Sequence, residues 1–385
     1  MTVRAQVHAR LQHRLDRLQQ QHRYRQLLTA ESPQSRQRQY GQNSLLNFCS
    51  NDYLSLANHS DVKQAFRQGV STWGVGAGAS HLVNGHTQAH HVLQEALADW
   101  LGYPAVLLFS TGYMANLALS TLFDRNDGVL HDKLNHASLI DSSRHHPGFK
   151  RYRHTDLVSL RQQLSKQTNW VITDGVFSMD GDTADLTALQ QTIGQSALLI
   201  VDDAHGLGVL GNQGRGCLEQ QQIKPADVDI LVGTLSKAFG GSGAFIAADR
   251  IIIDTLIQQA RPYIYTTAMP PAMAVAMLTS LTLVQDPSRR EQLDNLHQSF
   301  LRGARQLGLK VEATPSAIQP LVLGTDEAAL TTAKNLRKQG IHVSAIRPPT
   351  VPEGTARLRI TFTAEHSLSD VDRLLDSLAI ALPDH

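Results

Sequence analysis

Ala197-Leu-Leu-Ile-Val-Asp202-Asp-Ala-His205-Gly206 is an unbroken apolar run that stops abruptly at two acids and a histidine. Five apolar residues with no polar alternation predict a strand buried on both faces, the signature of a parallel sheet covered by helices. The same kind of run recurs on either side of it, at Ala105-Val-Leu-Leu-Phe109, Gly128-Val-Leu130, Trp170-Val-Ile-Thr173 and Ile230-Leu-Val232, with helical patterns between. That alternation predicts an α/β fold with a mainly parallel sheet and helices on both faces. Open sheets of this kind bind ligands beyond the carboxyl ends of their strands, and Asp202 and His205 stand at such an end.

The next apolar run leads into Thr234-Leu-Ser-Lys237-Ala-Phe-Gly-Gly241. A lone lysine is nearly always a solvated surface charge, but Lys237 lies between a strand and a glycine-rich exit, where backbone can approach a ligand closely. An amine able to form a Schiff base and a carboxylate able to keep a pyridine nitrogen protonated are the two groups that pyridoxal phosphate chemistry requires. Lys237 and Asp202 supply them, with His205 as the third anchor. A metal site at Asp202 and His205 would need further ligands nearby in sequence, and none is present, so no metal is expected there.

Other segments fit this cofactor. The strand Ala105–Phe109 runs into Ser110-Thr-Gly112-Tyr113-Met-Ala-Asn, a glycine turn opening a helix, whose first amides suit a phosphate. His136, in Asp132-Lys-Leu-Asn-His136-Ala-Ser, can stack on a pyridine ring or donate to a substrate carboxylate. Ser178, after the strand ending at Thr173, can bond a cofactor oxygen. Two nucleotide and hydrolase motifs fail on context. Gly74-Val-Gly-Ala-Gly-Ala-Ser80 follows a helical stretch (Asp61 to Trp73) instead of a strand, and Gly240-Gly-Ser-Gly-Ala244 lacks the last glycine of a nucleophile elbow.

With 385 residues, 42% hydrophobic and 18% charged, the chain is long enough for two or three domains. A net charge of +1 gives no field for nucleic acid. Cys49 and Cys217 are too few for a disulfide framework, the first residues lack an apolar signal core, and the Ala268–Val284 stretch is too short to span a bilayer, so a cytoplasmic protein is expected. Residues from about 5 to 28, with Leu11, Leu15, Leu18, Leu27 and Leu28, predict an amphipathic arm. Together they give a helical arm and short strand over 1–50, a large cofactor-binding domain over 51–285, and a smaller α+β domain over 286–385 that begins at the break Asp286-Pro-Ser-Arg-Arg.

Asn47-Phe-Cys-Ser-Asn-Asp-Tyr-Leu54, Asn135-His-Ala-Ser-Leu139, Gly175-Val-Phe-Ser-Met-Asp-Gly-Asp182, Val201-Asp-Asp-Ala-His-Gly206, Thr234-Leu-Ser-Lys-Ala-Phe-Gly240 and Tyr265-Thr-Thr-Ala-Met-Pro-Pro271 together resemble the α-oxoamine synthases. These are fold-type I pyridoxal phosphate transferases that condense an amino acid with an acyl-CoA and release carbon dioxide. The likeness runs over nearly the whole chain. Ser316-Ala-Ile-Gln-Pro320 and Ile346-Arg-Pro-Pro-Thr-Val-Pro-Glu-Gly-Thr-Ala-Arg-Leu-Arg359 resemble the branch that joins L-alanine to a pimeloyl thioester, on CoA or acyl carrier protein, in biotin synthesis.

The resemblance implies that Lys237 carries the cofactor and removes the Cα proton, that Asp202 pairs with the ring nitrogen, that His205 lies near the ring hydroxyl, and that His136 stacks on the ring. Gly112, Tyr113, Ser178 and Thr234 would surround the cofactor, and Arg25, Asn51, Arg347, Thr350 and Arg359 would face substrate, with Arg23 two positions from Arg25 as an alternative. It also implies a homodimer in which Thr266 or Thr267 reaches the other subunit's phosphate. His81 and Ala79 stand where many relatives have arginine and glycine. The other readings are a glycine condensation with acetyl- or succinyl-CoA, a non-catalytic subunit of this fold, and an NAD-dependent oxidoreductase.

Overall fold

The computed structural model describes residues 2–164, 166 and 169–382. Two units divide the chain, one made of Met1–Ser50, Asn295–Ala313 and Ile318–His385, the other of Asn51–Asp294 and Thr314–Ala317.

The first unit opens with helix α1 (Val3–Gln20), capped by the Thr2 hydroxyl and carrying no buried residue. Its apolar stripe is narrow and the helix stops well before the predicted residue 28, with His22 in the left-handed region at φ +57°. Strands β1 (Gln37–Tyr40) and β2 (Asn43–Asn47) form a hairpin. The larger unit begins with α2 (Ser60–Trp73), followed by α3 (Gln88–Leu101).

Its sheet is built from β3 (Ala105–Phe109), β4 (Gly128–Asp132), β5 (Phe149–Tyr152), β6 (Asn169–Asp174), β7 (Leu198–Asp202), β8 (Ile230–Thr234) and β9 (Ala244–Ala248). They lie in the order β3-β9-β8-β7-β6-β4-β5, and only β9 runs antiparallel to its neighbours. Every residue of β3, β6, β8 and β9 is buried, which is why these strands read as unbroken apolar runs. Leu107, Val129, Ile172, Ile200, Val232 and Ile246 share one core with Ala115 and Leu119.

The 15-residue helix Pro271–Gln285, which starts on the second of two prolines, packs on α2. The approach is close enough that a Cβ on Gly69 would lie 2.7 Å from the Ala272 Cα, so α2 needs a glycine there. Among the described residues no helix is long and apolar enough to cross a membrane.

The first unit's remaining strands are β10 (Ile318–Gly324), β11 (Ile341–His342), β12 (Ser344–Ile346) and β13 (Ala356–Thr361). The short β11 adds in parallel to β2, and β13 is the middle strand between β10 and β12. Phe48, Phe300 and Phe362 are fully buried in this unit, with Phe48 stacked on His366.

Candidate active site

Helix α4 (Gly112–Ala118) follows β3, and α5 (Ala137–Ser143) follows β4. Together with the ends of β6, β7 and β8 they enclose a cavity of about 190 Å³ in the larger unit. Gly112, Tyr113, His136, Asp202, His205, Thr234 and Lys237 all line it. Seven predicted site residues, separated by up to 125 positions in sequence, therefore meet where an α/β sheet concentrates its strand ends. An amine and a buried carboxylate facing one cavity are the donor set that pyridoxal phosphate requires, so the residues present fit that group.

The tandem acids after β7 divide their work. Asp202 lines the cavity and accepts from Asn116 Nδ2 at 2.7 Å and from the Ala204 amide at 3.0 Å. Asp203 accepts from the Cys217 amide at 2.7 Å and is absent from the cavity wall. Its complete burial pushes the carboxyl pKa up to about 7.

Asp174, in register with Asp202 across β6 and β7, also lines the cavity. Burial, and then the charge of Asp202, raise its pKa well above the carboxylate range, while its Oδ2 accepts from the His136 amide at 2.6 Å. That bond fixes the start of α5, where His136 is the N-cap. His136 Nδ1 meets Ser138 Oγ at 2.7 Å, and the same hydroxyl accepts from Asn116 Nδ2 at 2.9 Å. Desolvation is the largest influence on His136 and lowers its pKa; Lys237 acts in the same direction and Asp202 against it. The ring is thus held neutral beside the amine and the acid.

His205 is oriented from behind. Its Nδ1 lies 2.7 Å from Tyr53 Oη, and Tyr53 donates to Asn51 Oδ1 at 3.1 Å. With the Tyr53 proton directed at Asn51, His205 donates from Nδ1. Asn51, expected on the substrate side, stands in this relay.

The glycine exit after Lys237 serves the protein's own packing. Gly240 has φ +70°, and a Cβ there would sit 2.2 Å from the Ala57 amide nitrogen. Phe239 O accepts from Ser280 Oγ at 2.6 Å on the buried side.

Ser178 does not line this cavity. It belongs to the turn after β6 closed by the Val176–Thr183 bridge. His154 braces that turn, its Nε2 reaching Asp182 and its Nδ1 reaching Asp132, both at 2.9 Å, while Phe177 packs edge-on against its ring. Thr267 is bridged to Ser80, and its carbonyl accepts from Ser110 Oγ at 2.8 Å.

Asn116, Ser138, Asp174 and Tyr53 escaped the sequence reading. Asp174 carries the same signal as Asp202, an acid ending an apolar run; the other three carry none that a single sequence exposes.

The smaller unit gathers a second set. Arg25 Nη2 donates to Thr350 Oγ1 at 3.3 Å, and Arg347 bonds the His22 carbonyl. Arg25 and Arg347 line a groove of about 830 Å³ with Lys334 and Arg337, and no carboxylate is among its lining residues. Arg23 is committed elsewhere, to Asp326 at 2.9 Å and Glu353 at 2.6 Å. Arg359 is buried on β13 and does not line that groove.

Comparison with known proteins agrees with this architecture. Residues 43–378 match the model for aminotransferase class I and II. The 8-amino-7-oxononanoate synthase of Nitrosococcus oceani is 54% identical over 94% of this chain and 97% of its own length. The chain belongs to the 8-amino-7-oxononanoate synthase family.

A second member, from Methylococcus capsulatus, is 52% identical over 94% of this chain and 95% of its own. Among solved structures, an 8-amino-7-oxononanoate synthase from Francisella tularensis superposes with a TM-score of 0.78 at 31% identity, covering 87% of this chain and 97% of that one. A serine palmitoyltransferase from S. paucimobilis, solved with a bound PLP–myriocin aldimine, gives 0.92 at 27% identity, covering 99% and 98%. The expected fold-type I transferase architecture, with its mainly parallel sheet, is the one observed.

Proposed function

We propose that this chain condenses L-alanine with a pimeloyl thioester, releasing carbon dioxide and the thiol carrier and forming 8-amino-7-oxononanoate for biotin synthesis. The observation that carries the reading is the meeting of Lys237, Asp202, His136 and His205 in one cavity, in a chain 54% identical to a synthase of that name. Lys237, Asp202, His136, His205, Thr234, Gly112 and Tyr113, which line that cavity, would hold pyridoxal phosphate. When bound it supplies an electron sink for the carbanion that forms at the alanine Cα.

The residues themselves do four things. Asp202, held by Asn116, would face the ring nitrogen. Lys237 Nζ would hold the cofactor aldehyde and serve as the base for the alanine Cα proton. His136, kept neutral, offers a flat surface without adding a cation beside Lys237. His205, positioned by Tyr53, would hold the ring hydroxyl.

Arg25, Asn51, Arg347, Thr350 and Arg359 are the proposed substrate-side residues; a guanidinium such as that of Arg359 grips a carboxylate at two points, which lysine cannot copy. The reading includes a cytoplasmic homodimer, with Thr266 or Thr267 serving the partner's cofactor phosphate and either CoA or acyl carrier protein bearing the acyl chain.

The test is an absorbance spectrum of the purified protein followed by thiol release. A yellow protein that frees thiol only with alanine and pimeloyl-CoA together, and a Lys237→Ala variant that folds but frees none, is the expected result. Release with glycine and a shorter acyl-CoA alone would overturn the substrate assignment. A colourless protein that cannot take up pyridoxal phosphate would overturn the reaction class.

A further inference from the structure

We propose that His81, His86 and His90 form a binding site for a borderline transition-metal ion of the zinc class, separate from the cofactor cavity. One ring nitrogen from each lies within 4.8 Å of those of the other two. The local fold brings them together: a single π turn, His81–Gly85, returns the chain on itself, and α3 begins three residues later with Thr87 as N-cap and His90 at its third position.

His81 Nδ1 and His86 Nδ1 are 3.0 Å apart. Two imidazoles bound tetrahedrally at zinc–nitrogen distances near 2.0–2.1 Å stand about 3.3 Å apart, so this pair needs to open only slightly to admit an ion. His81 Nε2 is buried and has no hydrogen-bond partner, and its ring is clamped against Tyr263 with centroids 5.1 Å apart. That nitrogen lies on the opposite side of the ring from the Nδ1 that meets His86, so Nδ1 is the atom His81 turns toward a shared ion.

His90 supplies the supporting contact that metal-binding histidines usually have, with Nε2 2.8 Å from the Met269 carbonyl. Its Nδ1 is held by the Thr87 amide at 3.1 Å and hydroxyl at 3.0 Å, contacts with which an ion bound there would compete. His86 is the exposed member and provides the way in.

All three rings are pushed toward the neutral, ligating form. Burial is the main cause in each case, and the neighbouring imidazoles add to it for His81, whose pKa falls to about 3, and for His86. No carboxylate belongs to the set, and imidazole donors alone favour zinc, copper, nickel or cobalt over magnesium or calcium. A bound ion would brace the segment that Ser80–Thr267 pairing and the Ala268 amide to Ala79 carbonyl bond already join to this turn.

The experiment uses untagged holoenzyme, stripped with chelator and titrated with Co²⁺. One ion should bind per chain, giving the visible ligand-field bands of four-coordinate Co²⁺ to the red of the cofactor band, and Zn²⁺ should abolish them. His86→Ala, at the exposed position, should keep the fold and weaken Co²⁺ by roughly tenfold or more, and His81→Gln should do the same. Failure to saturate at one ion per chain, or undiminished binding in either folded variant, would overturn the proposal whatever the enzyme's activity.

Discussion

Replacing His154 with glutamine tests how the turn after β6 is held. Desolvation works against the charged ring, yet hydrogen bonds and charge from Asp132 and Asp182 outweigh it and carry the pKa to about 10. From an ordinary value near 6.5, the gap is worth up to about 4–5 kcal/mol at about 1.4 kcal/mol per pH unit. The ring is 25% exposed and Asp182 41% exposed, so solvent screens much of that attraction. We expect roughly 2 kcal/mol to remain.

The sign follows from a folded pKa above the unfolded one: the stabilisation is complete below about pH 6.5 and disappears as pH rises through about 10. Urea unfolding of wild type and His154→Gln at intervals between pH 6 and 10.5 isolates the effect, because other titrations largely cancel in the difference. The two stabilities should differ most at pH 6 and converge at the alkaline end. A difference that is flat with pH, or one that grows toward pH 10, would refute the charged bridge.

Asp202→Asn should retain pyridoxal phosphate but slow deuterium exchange at the alanine Cα by about 10²–10⁴-fold, followed by proton NMR; unchanged exchange would remove Asp202 from its role. Arg25→Gln should raise KM for the acyl thioester about tenfold or more, while Arg23→Gln, which loses only contacts to Asp326 and Glu353, should leave it within about twofold; equal effects would void the assignment. Gly69→Ala would gain helix propensity on an open surface, but against Ala272 it should cost about 1–3 kcal/mol in urea unfolding, and a stabilised variant would contradict the packing.

The sheet and the cofactor set were legible because both rest on local signals. Runs buried on two faces are apolar without interruption, and a strand-end acid or a lysine before a glycine turn stands out against them. Ser178 shows where such signals stop: proximity in sequence to β6 says nothing of where the turn points, and the bonds of His154, from a different strand connection, hold that turn. Asn116 was invisible for a related reason: its bond to Asp202 spans 86 residues and exists only once α4 lies against the end of β7. Two arginines separated by one residue cannot be ranked from spacing, whereas Asp326 and Glu353, some three hundred positions away, claim one of them.

The contact between Gly240 and Ala57 bears on how this enzyme can change. With only 2.2 Å between a would-be Cβ and the Ala57 nitrogen, any side chain at 240 must push the lysine-bearing loop off its seat. The reach of the amine is therefore written partly at a position that has no functional group at all. Libraries that vary only the cavity wall will leave this constraint untouched, and because the opposing atoms are the backbone of Leu56 and Ala57, the path of that segment, and no side chain in it, sets how far Lys237 can shift.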